Sequence, residues 1–390
     1  MELTKKQAAR FLLMHHGLIG KRLYKGMEGV MQVFDRLGSV QYDPVNICGR
    51  NAELVFLARV DGYESTHLWD LLYRDRRLVD YFDKCMCIMP SCDLRYFRRT
   101  MEAYSIYGRS REQVEAVMPR VLQAAAATEY ISSKDIGETE KIDWPWGRTS
   151  AARAAAERLY FEGRLAVHHK EGVVRYYSLP EKIGMDRHLC AHDPNMTEHQ
   201  YYKWQVRRRI YSIGMMENRP GDGFLGVRGL KAAERRRAFE ELEAEAAIIP
   251  VDIESKRYYI DSRDSFLAEK AKEDGLIVPQ RCELIAPLDN IIWDRRLISD
   301  IFGFSYKWEI YTPMEQRKYS CYVLPVIYRD SFAGRIEPVA DRKSGRLEVR
   351  NFWPEKGFRA TESFKKALGK SLERLAGLNG CKEVYITCNI

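Results

Sequence analysis

The feature that most constrains this chain is a pattern that occurs twice. Ala151 to Glu162 is a run of helix formers ended by Gly163; after it come Arg164 to His169, a turn at Glu171-Gly172, and Val173 to Leu179. Roughly 80 residues later, Leu230 to Glu245 is again helical in pattern. It leads into Ile248 to Ile253, a turn near Glu254-Ser255, and Arg257 to Asp261. Each block predicts helix, strand, tight turn, strand, and the second strands share Arg175-Tyr176-Tyr177 and Arg257-Tyr258-Tyr259. A helix followed by a two-stranded hairpin is the second half of a winged helix. In such modules a helix enters the major groove while the wing touches backbone or minor groove. Helical stretches upstream, Arg111 to Ala127 and His199 to Ser212, would complete the two modules.

The flanks have different textures. Thr4 is placed to cap a helix through Leu12 and Leu13. Gly26 precedes a second helix in which Val30, Val33, Phe34 and Leu37 recur at helical spacing, until Gly38 breaks it. Val40 to Pro44 then reads as a short extended segment, because a proline disfavours helical geometry in the residue before it. Gln41 and Asp43, two positions apart, should therefore point the same way. From about Gln280 the pattern becomes strand-like: Phe302, Phe304, Tyr306, Trp308, Ile310 and Tyr311, then Tyr319 to Tyr328, then Leu347 to Phe352. A helix from Thr361 to Ala376 and a strand from Glu383 to Thr387 close the chain. With 390 residues, more than one core is expected. The expected class is α+β: tandem winged-helix modules followed by a β-rich C-terminal domain. The expected boundaries are 1–130, 131–185, 186–275 and 276–390.

Composition narrows the function classes. Lys and Arg number 63 against 55 Asp and Glu, a net charge of +8 that suits a polyanionic partner. No apolar run approaches the length of roughly 18 residues that a membrane helix needs. The charged N-terminus, Met1 to Ala9, lacks the apolar centre of a signal peptide, so a cytoplasmic, membrane-free location is expected. The nine cysteines include no CxxC pair. Cys85, Cys87 and Cys92, and likewise His188, Cys190 and His192, lack the paired spacing of a structural zinc site. No metal and no cofactor are expected.

At Gln41-Tyr42-Asp43, followed by Pro44, Asn46, Arg50 and Arg59, the chain resembles the AlkZ/YcaQ family of bacterial DNA glycosylases. The resemblance continues through Trp144-Pro145-Trp146-Gly147, Gly163-Arg164-Leu165 and Tyr177-Ser178-Leu179-Pro180-Glu181. It is densest in Ile285-Ala286-Pro287-Leu288-Asp289-Asn290, Trp293-Asp294-Arg295-Arg296, Phe302-Gly303-Phe304-Ser305-Tyr306 with Glu309 and Tyr311, then Arg317, Tyr322-Val323-Leu324-Pro325 and Gly334-Arg335. It implies a monofunctional glycosylase acting on alkylated bases, and on interstrand cross-links in some members. The family's motif of Gln, an apolar residue, then Gln or Asp falls on Gln41, Tyr42 and Asp43, in the Asp version typical of the YcaQ-like branch. Tyr42 replaces the usual aliphatic residue, Lys84 stands where a histidine is expected, and Ser320-Cys321 replaces a glycine and an aromatic.

The chemistry asked of these residues follows from the lesion. Alkylation at guanine N7 makes the base a cationic leaving group, so a general acid is not obligatory. What remains is to stabilise oxocarbenium character on the sugar and deliver water to C1′, work that carboxylates do in glycoside hydrolysis. Asp43 is the candidate carboxylate. Gln41 cannot exchange a proton, but its amide both donates and accepts and can hold the water or the sugar. Asp43 also fits a plain turn before Pro44. Arg50, Arg59, Arg164 and Arg175 are candidate phosphate contacts, and Tyr42, Asn46, Lys84 and Trp146 are candidates for lining the lesion cleft. Trp144 is a further candidate of this kind, and a tryptophan in the Trp144-Pro145-Trp146-Gly147 turn fits a packing anchor as well. An open cleft is expected, since a cross-linked base cannot be flipped freely. The expected partner is double-stranded DNA carrying alkylated bases or cross-links, bound by a monomer. The competing reading is a non-catalytic tandem winged-helix regulator. A metal-dependent nuclease fits poorly, because no paired acidic cluster lies near the motif.

Overall fold

The computed structural model describes all residues except 107, 146, 274 and 276. The chain divides into two compact units: Met1–Leu68 with Asp83–Ile88 and Glu198–Ile390, and Trp69–Phe82 with Met89–Thr197. These units cut across the four consecutive segments expected from the sequence. The reason lies in long-range pairing within the first unit. The N-terminal amine donates to Pro250 O at 2.9 Å and Leu3 N–H to Asp252 O at 3.0 Å, joining the start of the chain to a hairpin 250 positions away.

Both repeated blocks form as helix and hairpin, one in each unit. In the second unit the helix Ala151–Phe161 is capped by Ser150 and followed by antiparallel strands Ala166–Glu171 and Val174–Ser178. Gly172 supplies the positive φ of +59° that their tight turn requires. In the first unit the helix Ala232–Ala244 leads into Ile248–Ile253 and Lys256–Asp261, which pair over their full length. The upstream helices fall where expected, at Arg111–Ala127 and Glu198–Ile213.

The first unit also holds the N-terminal helices and the C-terminal sheet. Helix Lys5–His15 begins with a capping box in which Thr4 and Gln7 satisfy each other's backbone N–H groups. Helix Gly26–Leu37 buries Gly29, Val30, Val33, Phe34 and Leu37, the stripe its spacing predicts. Five strands form the sheet in the order Cys282–Leu284, Leu324–Tyr328, Ser331–Asp341, Arg346–Pro354, Glu383–Ile386. The first four are antiparallel neighbours. The last pairs in parallel and is reached through helix Glu362–Leu378, the crossover that parallel pairing demands. The strand expected through Phe302–Tyr311 is absent. Phe304 and Tyr306 are buried while Ser305 and Lys307 are exposed, but the segment has no ladder partner among the described residues. An extended segment lying on a core shows the same alternation as a strand, and Tyr306 is held instead by its hydroxyl on Val323 O at 2.7 Å.

One buried ion pair ties the N-terminal helices to the approach of this sheet. Arg59 at the end of helix Asn51–Arg59 donates Nη1 and Nη2 to the two oxygens of Asp289, each at 2.8 Å, and Nη1 also to Val55 O at 3.0 Å. The side chains are 1% and 0% exposed. Ala58, beside Arg59 in the chain, shares one apolar cluster with Leu13, Leu18, Ile285, Ile291, Ile292, Ile298, Phe304 and Phe332. Truncating one partner of a buried pair strands the other charge, so Arg59→Ala should cost about 3–5 kcal/mol in urea unfolding. A loss below about 1 kcal/mol would show that the pair anchors nothing.

Candidate active site

Helix Gly26–Leu37 ends at Gly38, whose φ of +70° turns the chain into the motif strand Val40–Gln41. Val40 lies opposite Ile88 and Gln41 opposite Cys87, and Tyr42 N–H continues the ladder to Met86 O at 2.9 Å. Three side chains then fix this backbone from outside the ladder. Ser39 Oγ donates to Asp83 Oδ2 at 2.8 Å. Asn290 Nδ2 donates to Ser39 O at 2.8 Å, and Asn51 Nδ2 to Gln41 O at 2.7 Å. Asn51 Oδ1 in turn accepts from Leu288 N–H at 2.8 Å, so Asn51 and Asn290 both relay the position of the Asp289 segment to the motif.

Asp83 is the buried counterweight of this arrangement. Arg208 Nε lies 3.0 Å from Oδ2 and Arg209 Nη1 2.5 Å from Oδ1. Burial alone would raise its pKa, but Arg209, Arg208 and Ser39 together bring it down to about 2. The backbone beyond it is covered by Gly226, whose φ is +88°. A Cβ there would sit 2.2 Å from Asp83 O, so only glycine fits. Next in the chain, Lys84 sits 5.1 Å above the Trp293 ring, and burial lowers its pKa to about 8.

Asp43 is only partly buried, and one oxygen makes the turn allowed for above: Oδ1 accepts from Val45 N–H at 2.9 Å. Among the described residues none donates to Oδ2. Burial raises the carboxyl pKa above 3.8, and the Val45 N–H offsets this only in part. Gln41 Oε1 is buried with no donor among the described residues. A buried acceptor left unpaired costs stability, so such atoms mark sites held for a ligand or water. Burial, and in smaller part the charge of Asp43, raise the phenol pKa values of Tyr311 and Tyr322, residues of the resembling string to which the sequence assigned no role.

The remaining sequence candidates are distributed differently. Asn46 accepts from Gly49 N–H at 3.1 Å and Arg342 Nη2 at 2.5 Å, closing the loop after Asp43. Arg50 precedes helix Asn51–Arg59 and pairs with Glu53. Arg59 corrects an expectation: buried on Asp289, it cannot reach a phosphate. Arg164 and Arg175 belong to the second unit. Arg164 is half exposed beside Glu162, whereas Arg175 lies 3.8 Å from Glu157 and 5.8 Å from the Tyr160 ring centre, held by its own fold. Trp146 lies outside the described residues. Trp144 is a packing anchor, 4% exposed, with its indole N–H on Glu157 at 2.8 Å. Trp293 and Asp294 are structural too. The indole N–H donates to Leu288 O, while Asp294 caps helix Arg295–Phe302 and takes Arg219 Nη2 at 2.7 Å. Among the described residues no group of three His, Cys, Asp or Glu is placed to share a metal ion, and no helix is long and apolar enough to cross a membrane.

Two comparisons bear on this geometry. Residues 34–378 match the family model of AlkZ-like DNA glycosylases, a span that contains Gln41, Asp43, Asp83 and Asn290. In fold, the chain is similar to the DNA glycosylase AlkZ of Streptomyces sahachiroi, with a TM-score of 0.66 at 13% identity over 99% of each chain.

The two aspartates should respond oppositely to replacement. Asp83 has a folded pKa below its ordinary 3.8, so its stabilisation is present above that value and lost as pH falls toward about 2. Asp43 has a raised folded pKa, so its ionised form opposes folding at neutral pH. Thermal unfolding at pH 7 should therefore show Asp83→Asn lowering Tm by several degrees and Asp43→Asn leaving it equal or higher. The Asp83→Asn deficit should shrink between pH 4 and pH 2. The same loss of Tm in both variants would refute this assignment of the two environments.

Proposed function

Because the chain belongs to the AlkZ-like DNA glycosylase family, we propose that it hydrolyses the N-glycosidic bond of alkylated bases in double-stranded DNA, N7-alkylguanine among them. The observation that carries this reading is the pairing of two unspent acceptors on one tethered backbone: Oδ2 of Asp43 and Oε1 of Gln41. Around that backbone, Ser39 Oγ, Asn290 Nδ2 and Asn51 Nδ2 are engaged in holding it.

The mechanism follows from what a cationic base needs. Positive charge leaves the ring system and develops at the sugar as the bond to C1′ stretches. An ionised Asp43 opposite the departing base attracts that charge, and partial burial strengthens the attraction by limiting screening. Gln41 Oε1 accepts a hydrogen of the attacking water, while Asp43 accepts the proton that water loses. The amide NH2 of Gln41 is left to hold the deoxyribose. Neither residue needs to reorganise, because the Ser39–Gln41 backbone is fixed by Asp83, Asn290 and Asn51. The same centre serves interstrand cross-links, whose N7 attachment is equally cationic, and the net charge of +8 favours duplex binding.

Base release from a duplex with a single N7-methylguanine tests the proposal, scored as alkali-labile abasic sites. Asp43→Asn should slow single-turnover release by about 100-fold or more at unchanged DNA affinity, and Gln41→Ala by about tenfold or more. Borohydride should trap no covalent adduct, since hydrolysis here involves no lysine Schiff base. No release from this duplex, nor from a nitrogen-mustard cross-link, would leave a non-catalytic DNA-binding regulator as the better account.

A further inference from the structure

The segment between Phe302 and Leu324 carries an aromatic group that the motif does not include. The rings of Trp308 and Tyr311 lie 5.8 Å apart at 73°, and those of Trp308 and Tyr322 lie 6.1 Å apart at 79°. Tyr322 is buried and donates its hydroxyl to Gly49 O at 3.2 Å, in the loop that Asp43 begins. Trp308 packs on the apolar cluster around Ile285 and leaves its indole N–H buried without an acceptor among the described residues. Tyr311, by contrast, is 80% exposed.

That exposed ring stands on a stiff mount. Glu309, itself buried, accepts from Lys318 N–H and Tyr319 N–H, each at 2.9 Å, and its carbonyl accepts from Thr312 N–H at 2.9 Å. Arg317 Nε closes the loop on Thr312 O at 2.8 Å. An exposed ring on a loop tied at four points is held ready to meet a ligand face without reorganising. One further property narrows the ligand. Burial first, and the charge of Asp43 in smaller part, raise the pKa of both phenols, so Tyr311 and Tyr322 stay neutral rings. Neutral aromatic faces attract a flat cation and gain little from a neutral base of the same shape.

We infer that Tyr311, backed by Trp308 and Tyr322, selects the positively charged base over its neutral isostere. The inference rests on the glycosylase reading for the identity of the base, and gives Tyr311 a specificity role separate from the hydrolytic work of Gln41 and Asp43. A neutral purine would meet the same walls without the attraction, so undamaged guanine is rejected by charge rather than by size.

The test compares 7-methylguanosine with 7-methyl-7-deazaguanosine at pH 6, the same shape with and without the charge, by quenching of intrinsic fluorescence of the full chain. The wild type should bind the cation about tenfold more tightly. Tyr311→Phe should keep that preference and Tyr311→Leu should lose most of it. Tm should be unchanged in both, as the ring is exposed. Equal affinities in the wild type, or a full preference in Tyr311→Leu, would overturn the inference. Base release by the wild type separates the two claims. Release without a charge preference removes only the role of Tyr311, whereas a Tyr311-dependent preference without release removes the glycosylase reading and leaves the cation site.

Discussion

A guanidinium and a carboxylate that share no surface with water must satisfy each other, and the Arg59–Asp289 pair does so with two parallel hydrogen bonds. The geometry of a bidentate pair is narrow, which makes it a positional reference as well as a contact. Asp289 starts the short helical turn Asn290–Ile292 by accepting from Ile291 N–H, and Asn290 projects from there onto Ser39 O. Leu288, one residue before, anchors Asn51. The placement of the motif strand thus follows from a charge pair that contains no motif residue.

The two aspartates near that strand divide the electrostatic work. Asp83 is surrounded by Arg208, Arg209 and Ser39, so its charge is spent on structure. Asp43 is half buried with a single backbone donor, so its charge remains available and is expensive to keep. Sites that act on charge carry this signature: ionisable groups whose environments push their pKa values apart. The unpaired Gln41 oxygen is a second cost of the same kind, borne by a backbone that Asp83, Asn51 and Asn290 hold still.

Local patterns in the sequence transferred well to local structure. The Thr4 cap, the Gly38 stop and the helix–hairpin blocks are set by contacts within about a dozen residues, and all appear where spacing puts them. What failed were inferences that needed tertiary knowledge. Arg59 looked like any other arginine, because its partner Asp289 lies 230 positions away. The alternation from Phe302 to Tyr311 looked like a strand, because one-sided burial and strand pairing share a period of two. Of the site, Gln41 and Asp43 came from the motif. Asp289, Asn290 and Tyr311 all stood in the resembling string without a role. The joining of residues 1–68 with 198–390 in one compact unit is also a tertiary property, since pairing at that separation leaves no mark on composition.

The central claim is that an ionised Asp43, held in place by this network, drives the bond cleavage. Its most direct test is the single-turnover rate of N7-methylguanine release as a function of pH, corrected for spontaneous depurination. The account predicts an acid limb in which the rate falls as pH drops, with a midpoint above the ordinary aspartate value of 3.8, because burial raises the pKa of Asp43. In Asp43→Asn the residual rate should show no such limb. A limb of the same midpoint in Asp43→Asn, or a flat wild-type profile through that range, would contradict the role assigned to this carboxylate.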